Sequence, residues 1–199
     1  IKNELPLFGG FFAGKSAYYL VFGQANTAES DASVVMRVVR YDTSWDKVKS
    51  CDVKSANTRV PLDAGSLRMA ESGGKLYVHT CHNMYKSDDG YNHQANMTYA
   101  FKESNMTLVD SYYDVMNLSE GYVSHSFNQF ICADSSYVYR VDHGDSYPRG
   151  ITFTATPIAN TLSNPTITGV LHSYANDYGY GNYTGVSIGG FQMSDTGAL

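Results

Sequence analysis

The chain has 199 residues and a formal net charge of −5; 43% of its residues are hydrophobic and only 17% are charged. That length bounds one good core or three to four small units. The acidic balance, with Lys47-Val48-Lys49 as the longest basic cluster, excludes the basic footprint that nucleic acid requires, and no run of about 18 apolar residues is present to cross a membrane as a helix.

Tyr contributes 17 residues and Gly 18. Tyr, Thr, Val and Phe suit pleated, half-buried surfaces, and no helical period persists beyond a turn or two. The tyrosines read either as sheet packing or as an aromatic, hydroxyl-rich binding face.

In chain order, residues 17–23 form the first strand, and 24–31 a polar loop. Residues 33–41, Ser-Val-Val-Met-Arg-Val-Val-Arg-Tyr, form a second strand rich in β-branched side chains. Asp42-Thr43-Ser44-Trp45 is a turn in which Asp and Ser bond the local backbone and the Trp45 ring caps the hairpin. Residues 47–53 form the third strand, and 57–65, with Pro61, a linker. The pattern then repeats: strand 75–84, loop 85–93, strand 94–101, turn 102–105, strand 106–113 and linker 116–121. A third pass gives strands 122–131, 136–142 and 150–154. A fourth start falls near Thr168 and His172, followed by a Gly/Tyr/Asn-rich loop over 174–183.

A weak period of about 60 residues runs through these elements. Gly9-Gly10-Phe11 returns as Gly189-Gly190-Phe191. Tyr19, Tyr77 and Tyr139 recur as aromatic anchors of an apolar strand. The period divides the chain into units 8–65, 66–121, 122–185 and an incomplete 186–199. Such a period in a strand-rich chain predicts an all-β, propeller-like array of four-stranded units, with a β-sandwich as the alternative. The last unit stops as its second strand begins, so the chain reads as a fragment of a longer array, or as one whose copies assemble. No signal peptide is visible at Ile1.

The three cysteines, Cys51, Cys81 and Cys132, form no disulfide framework and read as buried thiols. Sequons stand at Asn96, Asn105, Asn117 and Asn182. The low charge and the abundance of Tyr, Asn, Ser, Thr and Gly suit an extracellular or cell-surface setting.

Polar groups gather in three segments. The first, 79–94, holds His79, Cys81, His82, Asp88, Asp89 and His93. On a strand His79 and His82 point to opposite sides, so His82 with His93, across the loop, is the better pair. Asp88-Asp89-Gly90 reads as a structural turn, as a calcium site through Asp88 and Asp89, or as a ligand contact; it lacks the full ligand ladder of an EF-hand. The second, 124–129, contains His125 between Ser124 and Ser126, but adjacent strand residues diverge and no nucleophile elbow is present. The third, 141–149, holds Asp142, His143, Asp145 and Arg149 within eight residues. It reads as a loop pinned by an Asp–Arg pair or as a carbohydrate or metal site, with the two carboxylates as acid and base only if held apart around a sugar bond.

Tyr77-Val78-His79-Thr80-Cys81-His82, Ser87-Asp88-Asp89-Gly90 with Asn92-His93-Gln94, Ser124-His125-Ser126-Phe127-Asn128-Gln129-Phe130, Asp142-His143-Gly144-Asp145 with Tyr147-Pro148-Arg149, and Asn182-Tyr183-Thr184-Gly185-Val186-Ser187 together resemble large secreted or surface-attached propeller-like proteins of Gram-positive gut-type bacteria. Ser87-Asp88-Asp89-Gly90 is also similar to the Asp-box of sialidase-like propellers, one residue short and without its aromatic. The resemblance spans about residues 18–191. It implies a multi-blade β architecture outside the cell and no particular reaction.

The leading expectation is therefore a binding or scaffold module for a glycan or protein ligand, using His82, His93, His125, Asp142, His143, Asp145 and Arg149 on one face. The rival is a glycan-active hydrolase or lyase on the same face, with Asp142 or Asp145 as the acid. A third reading is a structural segment of a surface assembly, completed by further blades or by copies of the chain.

Overall fold

In the computed structural model, residues 1–63, 66–118, 121–123, 126–144, 149–174, 186–194 and 197–198 are described. Among them every regular element is a strand. The first sheet is an antiparallel meander of β1 (Leu7–Ala13), β2 (Tyr18–Gly23), β3 (Val34–Tyr41) and β4 (Lys47–Lys54). Alternation sets its two faces: Tyr19 and Val21 point one way, Leu20 and Phe22 the other. Trp45, at φ +69° in the turn after β3, lays its ring 4.5 Å from Tyr18 and 5.8 Å from Phe11, capping this hairpin as its position predicts.

The second sheet is built on one long strand. β5 (Thr58–Pro61) and β6 (Arg68–Ser72) share an edge of β7 (Lys75–Lys86), β6 along its first half and β5 along its second. β8 (Asn92–Lys102) and β9 (Thr107–Tyr112) follow on the other side. Gly73 and Gly74, at φ +60° and +73°, form the two-residue turn between β6 and β7, where left-handed backbone matches strand twist.

β10 (Met116–Leu118) and β11 (Gly121–Val123) form a short ribbon. The third sheet is β12 (Ser126–Ala133), β13 (Tyr137–Gly144), β14 (Gly150–Pro157) and β15 (Ile167–Ser173), again a meander. Here the sequence expectation is corrected twice. The stretch 122–131 is not one strand: Gly121–Val123 belongs to the ribbon. The strand around Thr168 and His172 does not open a fourth unit. It pairs with β14, from Ala155↔Ile167 to Gly150↔Ser173, and so completes the third sheet. β16 (Met193–Ser194) and β17 (Gly197–Ala198) form a final ribbon.

The sheets pack in series. Tyr19, Val21, Met36 and Val38 of the first meet Leu76, Val78, Met97, Tyr99 and Phe101 of the second. Tyr77 and Ala100, on the opposite face of the second, meet Ile131 and Val138 of the third. The first strands lie side by side, β1 against β6 and β6 against β12. Residues 186–191 continue this series beyond β12, where Asn128 Nδ2 donates to Ile188 O at 2.8 Å and the Cys132 thiol reaches Phe191 O at 3.3 Å. All three cysteines are unpaired thiols, and burial pushes that of Cys132 up to about 11.

Candidate functional site

Because each sheet is a meander and the sheets run alike, equivalent connections share an end. The turns before β2, β7 and β13 meet: Lys15 N donates to Glu71, and the Ser72 hydroxyl to Asp134 O. The loops after β2 and β7 meet at the opposite end, where Glu29 Oε1 accepts from Lys86 N at 3.1 Å and from Asn92 Nδ2 at 2.9 Å. That second end carries the polar loop over 85–93 picked out in the sequence.

There the β7–β8 hairpin is a rigid turn. Gly90, at φ +88°, lets the chain reverse between Ser87 and Tyr91, whose backbones bond at 3.0 Å. Asp89 organises it: Oδ1 accepts from the Ser87 hydroxyl at 2.6 Å and from Tyr91 N at 2.9 Å, and Oδ2 meets His93 Nε2 at 2.6 Å. These donors, Ser87 first, hold the Asp89 carboxyl at about 2. Both its oxygens are thus engaged by its own turn, while Asp88 is exposed beside it. Among the described residues no three His, Cys, Asp or Glu side chains converge as a metal set. Tyr91 stands above the turn, 71% exposed, with its ring 6.4 Å from that of His93.

His82 does not join His93. It is buried on β7, where Nε2–H donates to Tyr113 O at 3.0 Å and Nδ1 lies 2.7 Å from the Thr58 hydroxyl. Desolvation drives it down to about 4, so it is a neutral strut between β5, β7 and the segment after β9.

Asp142 and His143 part company because neighbours on a strand face opposite ways. Asp142 enters the seam between the second and third sheets. Its Oδ1 accepts from His79 Nε2 at 2.9 Å and from Asn96 Nδ2 at 3.0 Å. The other nitrogen of His79 meets the Thr98 hydroxyl at 2.9 Å. Arg140, 1% exposed, lies two positions along the same face of β13. It donates to Thr154, Thr98, Thr156 and Leu162 O over 2.9–3.3 Å. Burial lowers it to about 10, with Asp142 pulling the other way, so it keeps its charge at neutral pH. A gap of about 10 Å³ among these groups has room for one water, and the carbonyl oxygen of Asn96 is buried beside it without a hydrogen-bond partner. The seam is a closed polar core. An acid at Asp142 would act between two sheets, with its carboxylate already held by His79 and Asn96.

His143 lies on the far side of β13, its ring 5.5 Å from Tyr174. Arg149 is half-buried, and its carbonyl accepts from Tyr174 N at 3.0 Å. His125 and Asp145 lie outside the described residues. The described members of the expected set are therefore distributed over the hairpin, the strut at His82, the seam and the third sheet. Sequence reasoning missed Asn96 as a hydrogen-bond partner of Asp142, Arg140 as its counter-charge, and Thr98 as the hydroxyl shared by His79 and Arg140. The available signal was Arg140-Val141-Asp142 beside Thr152, Thr154 and Thr156, polar groups at period 2 on strands otherwise apolar. Asn96 also heads a sequon. Its buried amide is closed to a glycan, whereas Asn105 is exposed in the β8–β9 turn.

No protein-family model matches the chain, and no curated protein is significantly similar to it.

Proposed function

We propose that the chain is a non-catalytic binding or scaffold module of β-propeller type, working outside a bacterial cell and recognising a glycan or a protein. Three meanders packed in series, with first strands adjacent, support a radial array better than a two-layer sandwich, which needs only two sheets. The low charge and the hydroxyl- and amide-rich surface support an extracellular setting.

The observation that carries the binding reading is the β7–β8 hairpin. No packing need explains a tyrosine left 71% exposed on a turn fixed by Asp89, Ser87 and His93. A preordered ring beside an imidazole suits stacking on a sugar face or anchoring in a protein groove, at low entropic cost. The test is an array of bacterial, plant and host glycans and surface proteins, probed with the wild-type chain and Tyr91→Ala. The expected result is ligand capture without turnover, weakened at least about tenfold by the substitution. Turnover, or capture indifferent to Tyr91, overturns the reading.

A further inference from the structure

A groove of about 680 Å³ opens at the end of the stack opposite the Tyr91 hairpin. Three successive sheets build it. The first contributes Arg40 from the end of β3, the second contributes the Gly73-Gly74 turn with Lys75 and the β8–β9 turn with Lys102, and the third contributes the loop 158–161. Its size suits an oligosaccharide or other small ligand.

The charges in it are unequally committed. The two carboxylates are turned to internal donors. Glu103 Oε1 accepts from the Tyr19 phenol at 2.8 Å, and burial with this pairing raises that phenol's pKa and keeps it a neutral donor. Asp110 accepts from Leu162 N at 2.7 Å and from Ser111 N at 2.8 Å. The cations are less fully committed. Among the described residues the Lys75 and Lys102 ammonium groups are in no hydrogen bond or ion pair, and Arg40, although its guanidinium meets the Tyr19 phenol, keeps Nε buried without a hydrogen-bond partner. On a chain of net charge −5, three cations against the two carboxylates Glu103 and Asp110 leave the groove net positive, a local reversal of sign. A buried guanidinium N–H without an acceptor is costly unless a ligand supplies one. The remaining lining mixes an amide and a hydroxyl, Asn160 and Thr161, with the apolar side chains Val109 and Ile158.

We propose that this groove is a second binding site, for an anionic oligosaccharide. Its carboxylate or sulfate sits among Arg40, Lys75 and Lys102, its hydroxyls bond Asn160 and Thr161, and its C–H faces lie on Val109 and Ile158. The site depends on the packing of three adjacent sheets and stands apart from the Tyr91 hairpin.

Calorimetry with oligogalacturonate and with a heparin-derived oligosaccharide, beside neutral dextran and mannan oligomers, tests it. The variants are Lys75→Glu with Lys102→Glu, and Arg40→Gln, each checked for unchanged thermal unfolding; Tyr91→Ala serves as the control. The expected result is binding of at least one acidic probe and of neither neutral one. That affinity falls with added salt, drops roughly tenfold or more in the charge-reversed variant, and is untouched by Tyr91→Ala. Which acidic probe binds separates carboxylate from sulfate. Equal binding of neutral oligomers, indifference to the charge reversal, or failure of both acidic probes at low salt overturns the groove site and leaves the hairpin reading standing. Loss with Tyr91→Ala alone assigns the ligand to the hairpin and also overturns it.

Discussion

Asp142 and Arg140 set the stability of the seam, because neither charge reaches solvent. With Asp142 present, Arg140 has four hydrogen bonds and a nearby carboxylate. Asp142→Asn takes from a buried guanidinium its principal counter-charge, a change that costs on the order of 3 kcal/mol. Urea unfolding should show that loss, and adding Arg140→Met should recover part of it. A neutral outcome for Asp142→Asn would place the pair outside the core. His82 gives a separate, pH-dependent signature. Its folded form resists protonation down to about 4, whereas the unfolded chain takes up a proton near 6.5. The unfolded state therefore binds more protons between these values. Stability from this residue is full above about pH 6.5, falls as the pH drops towards about 4, and is flat below that; the whole step is about 3 kcal/mol. His82→Gln should flatten that part of the stability profile, and an unchanged slope would mean that another group carries it.

At the scale of elements, paired strands offer a matched comparison. Gly150 on β14 has no room for a side chain, since a Cβ there would strike the His172 carbonyl across the β14–β15 bulge. Gly169 on β15 has open space around it. Gly150→Ala should lower the unfolding midpoint strongly, by about 2 kcal/mol or more of stability, through overpacking against backbone, while Gly169→Ala should be nearly neutral. Similar effects at both sites would deny the close approach that ends the third sheet. This approach was invisible in the sequence, where Gly150 reads simply as the residue after a turn. Part of the strand set was legible: the alternation around Tyr19, Tyr77 and Tyr139 placed the second strand of each sheet, and the Asp42 turn announced its hairpin, whereas β5 and β10 fall in stretches that read as linkers and β1 and β6 carried no strand reading. Pairing was less so. Nothing local shows that 58–61 and 68–72 share one edge of β7, or that 167–173 returns to β14. The site was hidden for the same reason. Period 2 separates Asp142 from His143, but only the packing of sheets brings His79, 63 positions away, against Asp142. Similarly, Arg40, Lys75 and Lys102 lie far apart in the chain and in unremarkable contexts, so no motif announces their groove.

At the scale of the whole molecule, the three second strands occupy equivalent places, which makes the sheet faces comparable. Tyr19 and Val21 of β2 correspond to Tyr77 and His79 of β7 and to Tyr139 and Val141 of β13. On the opposite faces, Tyr18 and Leu20 correspond to Leu76 and Val78 and to Val138 and Arg140. The first-to-second contact is apolar, and the second-to-third contact carries the charged seam. The outermost faces are apolar again. On the first sheet Leu20, Phe22, Val39 and Tyr41 cluster beneath exposed Phe8, Phe11 and Trp45. On the third, a trough of about 450 Å³ lies between Val141, Ile151, Phe153 and Leu171 and the chain at Ile188 and Phe191. Leu171 is 62% exposed and Phe8 56%, more apolar surface than a lone soluble unit usually leaves open. The outer face of the third sheet thus repeats the partner-seeking pattern of Tyr19 and Val21, and that of the first sheet repeats the pattern of Leu76 and Val78. Two copies of this 199-residue chain should therefore associate head to tail, by unlike faces. Sedimentation velocity across a concentration series should show association that Leu171→Lys and Phe11→Lys each weaken by about tenfold. Mixing the two variants should restore a dimer and nothing larger, since each keeps one intact face. If either variant alone still associates like the wild type, or if the mixture stays monomeric, the contact is not between these two faces.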